Sequence, residues 1–307
     1  MMKQNKLFSA INNPKNILLF ILNRIGRFIK SDALYYKLQY YCYTGKWLNI
    51  DNPKTYVEKM QWLKVYDRNP LYTTMADKYA AKKYVADVLG EKYIVPLLGV
   101  WNTPEDINYE SLPSKFVLKA THGGGALDVV ICKDKTTLDK EKVNRKLTKS
   151  LNSDFWRMRE YQYKDIPRRI IAEQYLEDES GGLNDYKVMA FNGQVKLIQV
   201  HRNRFTHQTQ DFFDTNWNKI HLWQRGYPCT NDEIDRPSVL EEMIKCSEIL
   251  SKGLPQIRVD WYVVNGKLYF GELTLTDGGG FSDWNTEEWD QKVASWIDLS
   301  LVKKRIS

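Results

Sequence analysis

Ile257-Arg-Val-Asp-Trp-Tyr-Val-Val264, Asn265-Gly266 and Lys267-Leu-Tyr-Phe-Gly-Glu-Leu-Thr-Leu275 form the stretch that decides the fold. Val259, Trp261 and Val263 alternate with Arg258, Asp260 and Tyr262, the period-two pattern of a strand with one apolar face. Asn-Gly between two such runs is a strong signal for a two-residue hairpin turn. The returning strand brings Glu272 near Asp260, so two carboxylates, Arg258 and the Thr274 hydroxyl converge. Hard oxygen donors of this kind suit Mg²⁺ carrying a nucleotide phosphate. The spacing also allows a plain surface hairpin with a cross-strand Arg–Glu pair.

Working outward, 307 residues suffice for one large domain or two ordinary ones with a substantial core. Hydrophobic residues make up 43% and charged residues 27%, the balance of a globular chain. The 10 Trp and 19 Tyr are read mainly as core and interface material. Net charge is +7, spread without long like-charge runs, and suits anionic ligands in general. No zinc-finger, RNP1-type or basic-zipper pattern marks a nucleic-acid partner, so none is expected.

Cys42, Cys132, Cys229 and Cys246 are far apart and form no CxxC, which predicts buried reduced thiols and a cytoplasmic setting. The four histidines have no zinc spacing. Near the start, Ile17–Leu22 is an apolar run between Lys15 and Arg24. It is shorter than the roughly 20 residues that cross a bilayer, and no small-residue cleavage site follows. An amphipathic helix docked on the core is expected there. Peripheral contact of residues 15–30 with an anionic membrane is the alternative.

Residues 1–70 read as helical and basic. A further helix is expected over Met75–Gly90, with Asp77 capping its start and Gly90 ending it. Strands follow in Lys115–Ala120 and Leu127–Cys132, then a helical stretch over 138–160, then a strand in Arg168–Leu176. Asp185–Arg202 reads as a hairpin turning at Asn192-Gly193. A helix spans 237–253, the carboxylate hairpin comes next, and a Trp-bearing helix closes the chain. Hairpins between helices point to α+β architecture with antiparallel sheets, and the βαβα alternation of a Rossmann domain is absent.

Four further segments carry chemistry. Lys119 ends a strand just before Thr121-His122-Gly123-Gly124-Gly125, where glycines admit an anion to the backbone and the lysine adds charge. Neither the P-loop order nor the protein-kinase signatures are present. Glu173-Gln174-Tyr175-Leu176 ends a strand and can offer backbone and acidic groups, with Glu177 and Glu179, to an adenine and its ribose. Lys187 alternates onto the face of Asp185 and Met189, as a second phosphate charge. Arg202 and Arg204 are candidates for an anionic substrate. Thr276–Ser282 can loop over a reacting centre, its N–H groups serving as oxyanion donors.

Lys119 with His122–Gly125, then Glu173, Lys187, Arg258-Val-Asp260 and Glu272-Leu-Thr274 together resemble the ATP-grasp superfamily. The chain looks in particular like its TupA-like family of bacterial surface-polysaccharide biosynthesis. Asp77-Lys-Tyr79, Pro96–Trp101, Leu112–Lys119, Pro167–Glu173, Asp185-Tyr-Lys187 and Phe191-Asn-Gly193 carry the narrower likeness, over about residues 50–290.

The resemblance implies two α+β subdomains with antiparallel sheets clasping Mg-ATP, residues 71–172 and 173–307, after a helical region 1–70. Lys119, His122, Gly123, Gly124, Gly125 and Lys187 would hold phosphates. Glu173, Gln174, Tyr175 and Leu176 would hold adenine. Asp260, Glu272 and Thr274 would hold Mg²⁺, and Arg258 and Lys187 would serve catalysis, joined by Arg202 on the ground of its charge at the strand end. One departure is Thr274, where the family pattern has Asn. The implied reaction joins a small-molecule or glycan carboxylate to an amine through an acyl phosphate, for instance an amino acid or amino sugar on a uronic acid. A glycosyltransferase, although no D-x-D is present, and an inactive nucleotide-binding scaffold are the alternatives. The sequence leaves the oligomeric state open.

Overall fold

The computed structural model describes residues 14–123, 129–178, 183–203, 207–224, 226–282 and 284–302. Helices lead: α1 (Pro14–Ile25), α2 (Asp32–Thr44), α3 (Tyr56–Tyr66), α4 (Leu71–Ala76) and α5 (Ala80–Leu89). Their ends follow local chemistry. The Ser31 hydroxyl caps α2, Gly45 closes it with φ 78°, and Thr55 and Glu58 make a reciprocal capping box on α3. The single helix expected over 75–90 is instead two. The chain breaks at Asp77, which accepts a bond from the Tyr79 N–H at 2.9 Å and an Arg169 ion pair at 2.6 Å.

Two antiparallel sheets follow. The first contains β1 (Leu97–Trp101), β2 (Phe116–Ala120), β3 (Val129–Cys132) and β4 (Ile170–Gln174), in the order β1-β4-β2-β3. Helix α6 (Lys140–Leu151) packs Val143 and Leu147 onto it. Beyond Leu151 the expected helix gives way to short 3₁₀ turns at Phe155–Met158 and Tyr161–Tyr163.

The second sheet contains β5 (Asp185–Phe191), β6 (Gln194–Arg202), β7 (Thr209–Phe213), β8 (Lys219–Ile220), β9 (Ile257–Val264) and β10 (Lys267–Thr274), in the order β10-β9-β5-β6-β7-β8. Both Asn-Gly turns form as read, with positive φ at Asn192, Gly193, Asn265 and Gly266. Strands β7 and β8 have no counterpart in the sequence reading.

One face of this sheet (Tyr186, Val188, Ile198, Val200, Val259, Trp261) packs under α4, α5 and α7 (Leu240–Ser251). The other face is divided. Met189, Phe191, Leu197 and Phe212 pack against α2, α3 and α8 (Glu287–Trp296). The rest of that face is polar. Helix α1 docks through Leu22 and leaves Ile17, Phe20, Ile21 and Ile25 exposed. No described helix is long and apolar enough to cross a membrane. Cys42, Cys132 and Cys246 are buried as expected, whereas Cys229 is exposed because the segment after β8 lies on the surface.

Candidate active site

The polar half-face is built by strand parity and one bulge. In β9 the core takes Ile257, Val259 and Trp261, so Arg258 and Asp260 point the other way. A regular hairpin from Asn265-Gly266 would set Asp260 opposite Gly271. The register instead shifts between Phe270 and Glu272, and Asp260 pairs with Glu272. The bulge reverses the parity of β10. Leu268 and Phe270 enter the core before it, Leu273 and Leu275 after it, and Glu272 and Thr274 turn to the polar face. Gly271 suits this point, because a Cβ there would lie 3.0 Å from the Asp260 carbonyl oxygen, tighter than side chains usually pack. On the other side of β9, β5 sets Lys187 opposite Asp260 and Asp185 opposite Tyr262.

Arg258 ties the acids together. Its guanidinium donates to both oxygens of Asp260, at 2.7 and 2.8 Å, to Glu272 Oε1 at 3.2 Å and to Thr274 Oγ1 at 3.0 Å. It also pairs with Asp277 in the loop after β10. Lys187 bridges Asp260 at 2.6 Å and Asp185 at 3.0 Å. Lys78 reaches Glu272 Oε2 at 3.0 Å. Burial opposes ionisation of Glu272, but Lys78 and Arg258 hold its carboxyl well below the usual carboxylate range. Burial pushes Asp260 up, with Arg258 and Lys187 pulling the other way. Four carboxylates (Asp185, Asp260, Glu272, Asp277) meet three cations (Lys78, Lys187, Arg258), leaving one negative charge.

The first sheet contributes a second cluster. Glu173 on β4 is buried and forms ion pairs with Lys82 of α5 at 2.7 Å and with Lys119 of β2. Burial works against its charge, yet Lys119 and Lys82 together hold its carboxyl at about 2. Burial lowers the Lys82 pKa despite Glu173, since two lysines share that one anion. Segment 77–82 stitches the sheets together. The Lys78 N–H donates to the Thr121 carbonyl at 3.0 Å, while its side chain lies on Glu272.

The candidates read from sequence therefore fare differently. Arg258, Asp260, Glu272, Thr274 and Lys187 come together. Lys119 and Glu173 meet, but both Glu173 oxygens are taken by lysines. Glu173 anchors Lys82 and Lys119. Glu177 pairs with Lys115 on the surface at 2.6 Å. Gln174, Tyr175 and Leu176 follow as the exit from β4, with the Gln174 N–H spent on the Pro96 carbonyl. His122 is buried, its Nε2 3.3 Å from the Ser153 carbonyl oxygen, beside buried Gly123. Gly124, Gly125, Glu179 and Arg204 lie outside the described residues.

Arg202 does not join the site. It shares strand parity with Ile198 and Val200, which face the helix-covered core. The oxyanion role read into Thr276–Ser282 also changes. The Gly279 and Phe281 N–H groups close turns onto Thr276 and Gly278, and the loop brings the Asp277 carboxylate to Arg258 and Phe281 to the cavity.

Beyond Lys187 the polar face turns neutral. Gln199 sits opposite Lys187, and His201 opposite Asp185. Together with Gln210 of β7 and Gln224 they line a cavity of about 450 Å³ that ends at Lys187, Arg258 and Asp277. Sequence reading missed Gln199, His201, Gln210 and Gln224. The period-two alternation of β6 held the signal for the first two, since they share the face of Leu197 rather than that of Ile198. Lys78 entered the sequence reading only within Asp77-Lys-Tyr79, and Lys82 did not enter it.

A family model described as TupA-like ATPgrasp matches residues 58–297. No curated protein matches in sequence. Among solved structures, D-alanine–D-alanine ligase from Bacillus anthracis complexed with ATP is similar at 16% identity and TM-score 0.40, over 75% of this chain and 63% of that one. L-amino acid ligase from Bacillus licheniformis is similar at 16% and 0.41, over 69% and 44%. D-cycloserine synthetase DcsG is similar at 16% and 0.43, over 76% and 72%. The chain thus spans less than two thirds of the length of the first two.

Proposed function

The chain belongs to the TupA-like ATP-grasp family and has the α+β ATP-grasp fold, and from that premise we propose that it is an ATP-dependent carboxylate–amine ligase. The observation that carries the proposal is the cross-strand pair Asp260 and Glu272, bound by Arg258 and Lys187 on one sheet face. The donor chemistry fits Mg²⁺. Asp260, Glu272 and the Thr274 hydroxyl are hard oxygens, and the cluster carries one surplus negative charge. Among the described residues no group of three or more His, Cys, Asp or Glu side chains converges as a metal site. Two carboxylates, with phosphate and water completing the shell, are the usual holding pattern for Mg²⁺. When bound, Mg²⁺ neutralises charge on phosphate oxygens.

In the reaction proposed, a substrate carboxylate oxygen attacks the γ-phosphorus and the bond to the ADP oxygen breaks. An amine then attacks the acyl carbon, phosphate leaves, and the nitrogen loses its proton to give an amide. No protein nucleophile is needed. Lys119, held in place by Glu173, and Lys187 steady the phosphates. Arg258 offsets charge on the transferring group, and positioning supplies much of the rate. We propose as substrates an amino acid or amino sugar and an acidic glycan such as a uronic acid, with a basic surface favouring polyanions.

Wild-type protein given Mg-ATP, D-glucuronate and hydroxylamine should release ADP and form a hydroxamate. Unchanged ADP release in Asp260→Asn and Glu272→Gln would sink the assignment. Mg-ATP should also raise the thermal midpoint, and Lys119→Ala should remove that rise. The exposed Phe20 and Ile21 of α1, beside Arg24, further support our proposal of peripheral contact with an anionic membrane. Phe20→Ser/Ile21→Ser should then stop cosedimentation with phosphatidylserine vesicles and leave ATP turnover unchanged.

A further inference from the structure

We propose that the neutral cavity beside the charged cluster seats the uncharged, hydroxyl-bearing body of the carboxylate substrate, with Gln210 and Gln224 reading its hydroxyls. This rests on the ligase reading above and adds the part of the site that chooses the substrate.

Hydrogen-bond valence carries the inference. Gln199 Nε2 and Gln210 Nε2 both donate to Gln224 Oε1, at 3.1 and 3.4 Å. That leaves Gln224 Nε2 as a donor and Gln210 Oε1 as an acceptor, each without a partner. Gln210 is 3% exposed and Gln224 is 6% exposed, and both stand in the wall of the cavity. Flipping Gln224 would set its amino group against two others and make matters worse. A buried polar atom left unpaired costs about 1–3 kcal/mol, and here one donor and one acceptor in a single cavity wall call for a partner.

The chemistry of the missing partner follows from the surplus. An ammonium only donates and would leave Gln224 Nε2 unmatched. A carboxylate only accepts and would leave Gln210 Oε1 unmatched. A hydroxyl does both, and a vicinal pair matches both amides at once. His201 supports the same polarity. Burial, reinforced by Lys187, lowers its pKa to about 4, so it is a neutral hydrogen-bonding group at pH 7. Gln208 Nε2 lies 2.7 Å from its Nδ1. At the rim, Tyr43 and Phe281 stack at 4.3 Å, giving an aromatic wall for the apolar face of a ring. The far wall is Lys187, Arg258 and Asp277, which sets a carboxylate on that ring beside the phosphoryl site. The volume of about 450 Å³ lies within the roughly 300–1,000 Å³ of small-molecule pockets.

The test compares D-glucuronate with cyclohexanecarboxylate, a six-membered ring acid without hydroxyls, by thermal shift in the presence of Mg-ADP. Variants are Gln210→Met, Gln224→Met and, at the exposed rim, Tyr43→Ala. D-Glucuronate should raise the wild-type midpoint, and cyclohexanecarboxylate should not. The rise should vanish in both glutamine variants and shrink in Tyr43→Ala, while the rise from Mg-ATP persists in all three and reports intact folding. In turnover, KM for D-glucuronate should climb by roughly 10–100-fold with KM for ATP unchanged. Equal shifts from the two acids, no shift with D-glucuronate, or a shift that survives all three substitutions would overturn the inference. Should a glutamine variant fail to fold, Tyr43→Ala decides alone. Failure of the ligase reading is a separate result: no Mg-ATP shift and no ADP release from wild type with any carboxylate.

Discussion

The same face of the six-stranded sheet does two kinds of work. At its β9–β10 end, acids and bases balance one another closely, with Arg258 touching Asp260, Glu272, Thr274 and Asp277. At its β6–β7 end there is hardly any charge to balance, and three amides and an imidazole satisfy one another incompletely. Each end leaves a different valence open. The charged end has one negative charge to offer a cation. The neutral end has one donor and one acceptor to offer a hydroxylated ligand.

The comparison breaks first at the charged end. Asp260→Asn and Glu272→Gln should each lower ADP formation by on the order of 10²–10³-fold, the scale for losing a preorganised charged group. Asp260→Asn also leaves Arg258 and Lys187 buried with a carboxylate fewer between them. It should cost roughly 3 kcal/mol or more in urea unfolding. A neutral-end substitution such as Gln210→Met should instead move KM for the carboxylate and leave ATP binding intact. Loss of ATP binding there would erase the distinction.

Acid titration sets the neutral end apart from the Glu173 cluster of the first sheet, because the two fail in different pH windows. Folding holds Glu173 ionised down to about pH 2, while in the unfolded chain it takes its proton near its ordinary 4.5. Between those values the unfolded state binds the extra proton. The stability from the Lys82–Glu173–Lys119 cluster is therefore fully present above about pH 5 and lost towards pH 2, about 3 kcal/mol in all. His201, facing Lys187, Asp185, Arg258 and Asp277, has its folded pKa lowered from 6.5 to about 4. Again the unfolded state binds more protons, so this contribution is present above about pH 6.5 and lost as pH falls to 4. Denaturant midpoints measured from pH 7 to 2 should show both slopes. Glu173→Gln should remove only the lower one and His201→Gln only the upper.

Much of this was legible in the chain. The hairpin and the antiparallel α+β architecture follow from alternation and Asn-Gly turns, and the family resemblance joined Lys187 to Arg258, Asp260 and Glu272. Glu272 was placed correctly for an incomplete reason. Strict alternation from that turn puts Gly271, not Glu272, opposite Asp260, and only the bulge restores the pair. Bulges leave little trace in periodicity, and a strand glycine is the trace here. Gly271→Ala should cost about 1–3 kcal/mol by crowding the Asp260 carbonyl. It should also depress ADP formation by moving Glu272. Full activity in that variant would show that the bulge is dispensable. The neutral end was not read, since β7 was not recognised and glutamines announce nothing until strands set them side by side.

The smallest expected effect separates neighbours in sequence. His201 and Arg202 are adjacent, and a candidate role went to Arg202 because it is cationic. Parity sends His201 to the cavity and Arg202 to the face of Ile198 and Val200. Arg202→Ala should change stability by no more than about 0.5 kcal/mol. It should leave ADP formation, the Mg-ATP shift and the D-glucuronate shift at wild-type values. A loss of D-glucuronate binding in Arg202→Ala would mean that the substrate is gripped from the helix-covered side of the strand. Charge would then outrank strand parity in choosing the ligand, and the division between a charged end and a neutral end would no longer describe how this sheet works.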